Sequence, residues 1–157
     1  METSDSGVDV VTPKMPITLT DNEAPPAISF SLASQTVLEG VGSGTVTVQL
    51  DHASLFAISV PYTVSDGTAV AGSDYTMSSG TVSFAAGETS KTLSFNILDD
   101  ATVETTETFS VALGTVTGVA TLGAHSSHTV SIIDNDSASL FVGSVTVNET
   151  AGTATIP

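Results

Sequence analysis

The chain has 157 residues, 40% of them hydrophobic and 5% aromatic, and sets 17 acidic side chains against two basic ones for a net charge of −15. That balance excludes a nucleic-acid binder, which needs a basic footprint, and argues against docking onto anionic membranes. With no cysteine there is no disulfide scaffold or thiolate metal site, and with no run of 18 apolar residues no segment reads as a membrane-spanning helix.

Residues 1–16 show no basic stretch followed by an apolar one, so they do not read as a signal peptide. From there the pattern is nearly all β. GTVTVQL (44–50) alternates Val46, Val48 and Leu50 against polar neighbours. ISVPYTV holds Pro61, which must lie on an edge or at a bulge because it cannot donate to a ladder. TVSF (81–84) offers Val82 and Phe84, KTLSFNIL (91–98) offers Leu93, Phe95 and Ile97, and TFSVAL (108–113) offers Phe109, Val111 and Leu113. Such period-two runs are half-buried antiparallel strands. The Gly- and Ser-rich stretches between them are turn chemistry, and GVGSG (40–44) reads as a hairpin turn. About seven short strands with regular turn signals predict an all-β, immunoglobulin-like two-sheet antiparallel β-sandwich.

The ends repeat the middle. PITLTDNEAPPAISF (16–30) is echoed by HTVSIIDNDSASLF (128–141), and TVLEGVGSGTVTV (36–48) by VTVNETAGTATI (145–156). Asp21 to Asp134 is 113 positions, Phe30 to Phe141 is 111, and Glu39 to Glu149 is 110. A self-similarity of that length predicts a segment of a tandem array. Residues 1–26 then form the tail of one repeat and a linker, 27–136 a whole repeat, and 137–157 the opening strands of the next.

Over residues 27–136 the chain resembles the Calx-β repeat. The resemblance rests on Asp66-Gly67-Thr68-Ala69, Gly72-Ser73-Asp74-Tyr75, Gly80, the Phe84–Glu88 turn, Asp99-Asp100, Glu104, Glu107 and the closing Ile133-Asp134-Asn135-Asp136. Glu39, in Val-Leu-Glu-Gly, matches the acidic residue near the start of such repeats. The resemblance implies a sandwich whose calcium-binding members hold a small Ca²⁺ cluster at one end. Repeats of this kind occur in sodium–calcium exchangers and in large bacterial surface and secreted proteins.

The acidic residues point the same way on their own chemistry. Glu39, Asp74, Asp99, Asp100, Glu104, Glu107, Asp134 and Asp136 fall at strand ends or in the loops that follow, which a sandwich gathers at one pole. Many carboxylates without His or Cys suit Ca²⁺, which takes six to eight oxygens, better than Mg²⁺ or Zn²⁺. Asn135 stands where many repeats carry another aspartate, and removes one charge. Asp66 reads as a turn former rather than a ligand, and Asp21-Asn22-Glu23, lacking its own sandwich, is expected to bind nothing. His125 and His128, three apart on a strand, should face opposite ways, and His52 reads as an exposed loop residue.

Three functions follow as expectations. The first is a Ca²⁺-binding structural repeat that stiffens a large extracellular or cell-surface protein, with adhesive or spacer use and adjacent repeats as its partners. The second is a module for a cell-surface, matrix or glycan ligand, with Phe56 and Tyr75 as its loop aromatics. The third is a calcium-sensing regulatory domain. No acid–base pair or nucleophile elbow predicts an enzyme, and the terminal strands predict some self-association.

Overall fold

Val, Ile and Phe at alternate positions turn one face of each strand inward, and two sheets close over them. The computed structural model describes residues 24–139 and Gly143. Ten strands form there: β1 (Ala27–Phe30), β2 (Ser34–Leu38), β3 (Ser43–Leu50), β4 (Ile58–Asp66), β5 (Tyr75–Thr76), β6 (Gly80–Phe84), β7 (Ser90–Ile97), β8 (Glu107–Leu113), β9 (Thr121–Leu122) and β10 (Ser127–Ile133). One sheet runs β5-β7-β3-β1-β9 and the other β2-β10-β8-β4-β6. The expected two-sheet sandwich is the fold.

The core is the set the alternation picks out. Val46, Val48, Leu50, Val82, Phe84, Phe95, Ile97, Phe109, Val111 and Leu113 are all buried, joined by Ile28, Phe30, Ile58, Val60, Val130 and Ile132. Leu93 is half-buried against them. Burying each large apolar side chain contributes about 1.5–3 kcal/mol, so this interior is the main source of stability.

Three local expectations change. The sheets are mixed, because β10 pairs β2 in parallel and β1 pairs β9 in parallel. Alternation fixes which face is buried but not the direction of the neighbouring strand. GVGSG is not a hairpin turn, since β2 and β3 lie in different sheets. The segment forms a 3₁₀ turn, Glu39–Val41, and crosses over with Gly42 at a φ of 75°. Tyr75 is no loop aromatic either. Its ring is buried, stacked on Phe109 with centroids 3.9 Å apart.

Pro61 sits in an interior strand, at a bulge. The β4–β8 ladder stops at Tyr62↔Leu113 and resumes in the bridge Ser59↔Thr117, leaving three residues opposite two. The histidines separate as expected, with His125 exposed and His128 buried. His52 is exposed and pairs with Asp51 at 2.7 Å. The proposed tail and following strands lie almost wholly outside the described residues, as do Asp21-Asn22-Glu23 and the terminal strands expected to self-associate.

Candidate metal centre

The strand directions bring distant acids to one end. β2 ends at Leu38 opposite Ile133, the last residue of β10. β8 begins at Glu107 opposite Ile132, and β5 begins at Tyr75 opposite Ile97, the last residue of β7. Glu39, Asp134–Asp136, Glu107, Asp74 and the 98–106 loop therefore meet at the same pole.

Six of the eight candidate ligands fall into two groups of three. Glu39, Asp134 and Asp136 each offer a carboxylate oxygen within 4.8 Å of the others, and so do Asp74, Glu104 and Glu107. Glu104 joins the groups, because its backbone N–H donates to Asp134 Oδ2 at 2.8 Å. Asp99 and Asp100 line the rim. The Asp100 N–H donates to Glu39 Oε1 at 3.3 Å, and its own Oδ1 accepts from Thr102 N at 2.6 Å. Asp99 Oδ1 accepts from the Asn135 amide at 3.1 Å. Asn135 is thus more than a missing charge. It ties the 98–106 loop to the end of β10, a role no sequence spacing announced.

The electrostatics are those of a crowded anionic site. Burial raises the Glu39 carboxyl, and Asp100, Asp134 and Asp136 push it further up, against a lowering hydrogen bond from the Asp100 backbone. Glu107 is pushed up to about 7, first by burial, then by its hydrogen bond with Asp74 and by the charges of Asp74, Glu104 and Glu39. Glu104 and Asp136 are also raised, in each case by burial first and neighbouring carboxylates next. Asp134 alone moves down, held by the Asp136 and Glu104 backbone N–H groups. Two unit charges about 4 Å apart repel by about 4 kcal/mol at an effective dielectric near 20.

The donor set fits a hard cation. Glu39 is only 4% exposed, and its Oε2 is buried without a hydrogen-bond partner, as is Asp136 Oδ2 in the same group. Buried carboxylate oxygens are costly to leave unpaired. Glu39, Asp134 and Asp136 would hold an oxygen-binding ion, whose positive charge would satisfy both.

Asp66 behaves as a turn residue, its Oδ1 accepting from Ala71 N at 3.1 Å and from the Tyr75 hydroxyl at 2.6 Å. The sequence held a usable signal for this contact. A buried tyrosine hydroxyl needs a partner, and Asp66 is the nearest acid before it apart from its neighbour Asp74.

Comparison with known proteins agrees with this geometry. The Calx-beta domain model matches residues 21–136. Sodium/calcium exchanger 1 of Canis lupus familiaris is 33% identical over 139 residues, covering 77% of this chain and 14% of the exchanger. The chain therefore spans only a small part of such relatives. Adhesion G-protein coupled receptor V1 of Danio rerio is 40% identical over 85 residues, 54% of this chain and 1% of the receptor. Among solved structures, the apo-form Calx CBD1 domain superposes with a TM-score of 0.68 at 29% identity, covering 71% of this chain and 99% of that one. The calcium binding domain CBD12 of CALX1.1 gives 0.66 at 30% identity, covering 69% and 44%.

Proposed function

The chain belongs to the Calx-beta domain family, and from that premise we propose that it is a Ca²⁺-responsive module. Its ions sit in the Glu39–Asp134–Asp136 and Asp74–Glu104–Glu107 groups, with Asp99 and Asp100 on the rim. The observation that carries this reading is the buried, unpartnered Oε2 of Glu39, on a carboxylate that lies within 4.8 Å of those of Asp134 and Asp136. Without a cation the pole repels itself and loosens. With Ca²⁺ the 98–106 loop, the Glu39–Val41 turn and the end of β10 share ligands and order together. The protein's own groups do this work by placing oxygens, while the ion supplies the positive charge. We assign the carboxylates no catalytic role.

A sensing role draws support from the likeness to the calcium binding domain CBD12 of CALX1.1 and to part of sodium/calcium exchanger 1. A stiffening role between adjacent repeats keeps the support of the 110-residue self-similarity. The two differ in context rather than chemistry, since each needs an ion to change the order of one pole. The glycan-binding alternative loses Tyr75, which is in the core. The exchanger relatives do not support the extracellular placement read from the sequence.

Thermal melting in Ca²⁺, in Mg²⁺ and in chelator tests the proposal. Ca²⁺ at a hundred times its dissociation constant adds about 2.7 kcal/mol per site, which corresponds to roughly ten degrees or more for a domain of this size. Mg²⁺ should give a smaller rise, and Glu104→Gln with Glu107→Gln should remove most of the Ca²⁺ effect. Equal melting in Ca²⁺ and chelator would sink the metal reading.

A further inference from the structure

The loop that presents Asp74 is closed by a circuit of hydrogen bonds from residues outside the two carboxylate groups. Val70 N donates to Asp74 Oδ2 at 2.6 Å, which fixes the direction of that carboxylate. The next backbone N–H, Ala71, donates to Asp66 Oδ1 at 3.1 Å, and the Tyr75 hydroxyl donates to the same oxygen at 2.6 Å. Asp66 therefore grips the loop on both sides of Asp74. Further bonds tighten it: Gly72 N to Tyr75 O at 2.8 Å and Asp74 N to Val70 O at 3.0 Å. The stem of the loop is fastened beside Glu107, because Gly67 N and Ala69 N both donate to Thr108 O, at 3.1 and 3.0 Å. Thr108 N returns a bond to Thr68 Oγ1 at 2.9 Å.

From this circuit we infer that Asp66 is a positioning residue for the Asp74–Glu104–Glu107 site, acting through Ala71 and Tyr75 without touching the ion. Its role needs an acceptor oxygen rather than a charge. Tyr75 is the rigid side of the clamp, since its ring is stacked on Phe109 and cannot follow the loop if the loop moves. Carboxylate ligands are commonly held by such outer partners, and losing one typically weakens a metal site by about 10–100-fold. The inference rests on the calcium reading above, and the experiment separates the two.

Calcium binding is measured by calorimetry on the intact chain as wild type, Asp66→Ala, Asp66→Asn and Tyr75→Phe. The amide oxygen of Asn can accept both bonds, so Asp66→Asn should stay within about threefold of wild type. Asp66→Ala should weaken one binding step about tenfold or more. Tyr75→Phe keeps the stacked ring, loses one of the two bonds and should fall between them, which covers the case of Asp66→Ala failing to fold. Equal weakening by Asn and Ala would make Asp66 a charge-bearing ligand and overturn the inference. Unchanged affinity in both Asp66→Ala and Tyr75→Phe would overturn it as well. A wild-type chain that binds no Ca²⁺ refutes the functional reading instead.

Discussion

Glu107 holds its proton to about pH 7 in the ion-free fold, against an ordinary carboxyl value of 4.5. A carboxyl raised by folding stabilises the native state below its unfolded value, and that contribution is lost as the pH rises through the folded value. Glu39, Glu104 and Asp136 shift in the same direction, and Asp134 in the opposite one. The chelated protein should therefore melt at progressively lower temperature between pH 4.5 and 7.5. The Ca²⁺-loaded protein should show the reverse, since protons compete with the ion for the same oxygens. Melting curves at matched ionic strength with and without Ca²⁺ check this, and a flat chelated profile would contradict it. At this scale the sequence was informative about residue type. The eight candidate carboxylates stood out because a chain so poor in charge placed them at strand ends or in the loops that follow, and six of them gather in the two groups. The Asn135–Asp99 contact was not legible, because a hydrogen bond between side chains distant in sequence leaves no period or spacing. The Asp66–Tyr75 contact had only the buried tyrosine's need for a partner to announce it.

Among the elements, β8 links core to site. It begins with Glu107 at the acidic pole, and two positions on it places Phe109 between two aromatic rings. Phe109 stacks on Tyr75 and meets Phe95 edge-on with centroids 5.5 Å apart. Phe109→Ala should cost about 3–5 kcal/mol of unfolding free energy. Denaturant melts in chelator measure this, and a loss below about 1 kcal/mol would show that the rings do not depend on it. The buried face of each strand was readable from period-two alternation. The pairing was not, since β2 lies beside β10 through a crossover between sheets. Nothing in SQTVL distinguishes a parallel neighbour from an antiparallel one. GVGSG misled for the same reason, because glycine marks a turn without saying which sheet the chain enters next.

The molecule as a whole is electrically lopsided. Lys91 is the one lysine or arginine among the described residues, and it pairs with Glu88 at 2.7 Å, near the end of β7 remote from Ile97. Among the described residues, no lysine or arginine therefore offsets the acidic pole. Monovalent salt, which shortens the Debye length from about 30 Å at 0.01 M to about 8 Å at 0.15 M, should raise the melting point of the chelated protein. It should also narrow the gap to the Ca²⁺ form. A gap independent of salt would mean that local coordination, not relief of repulsion, sets the effect. The strand directions also have a mechanical consequence. β1 starts beside Asp51, at the end of the sandwich opposite the carboxylates, while β10 finishes among them. Tension drawn through the chain thus pulls Ala27 and Ile133 apart along the strand axis. It loads the β1–β3 and β10–β8 ladders in shear, so their hydrogen bonds resist together rather than peeling one at a time. The carboxylates stand where β10 takes up that pull.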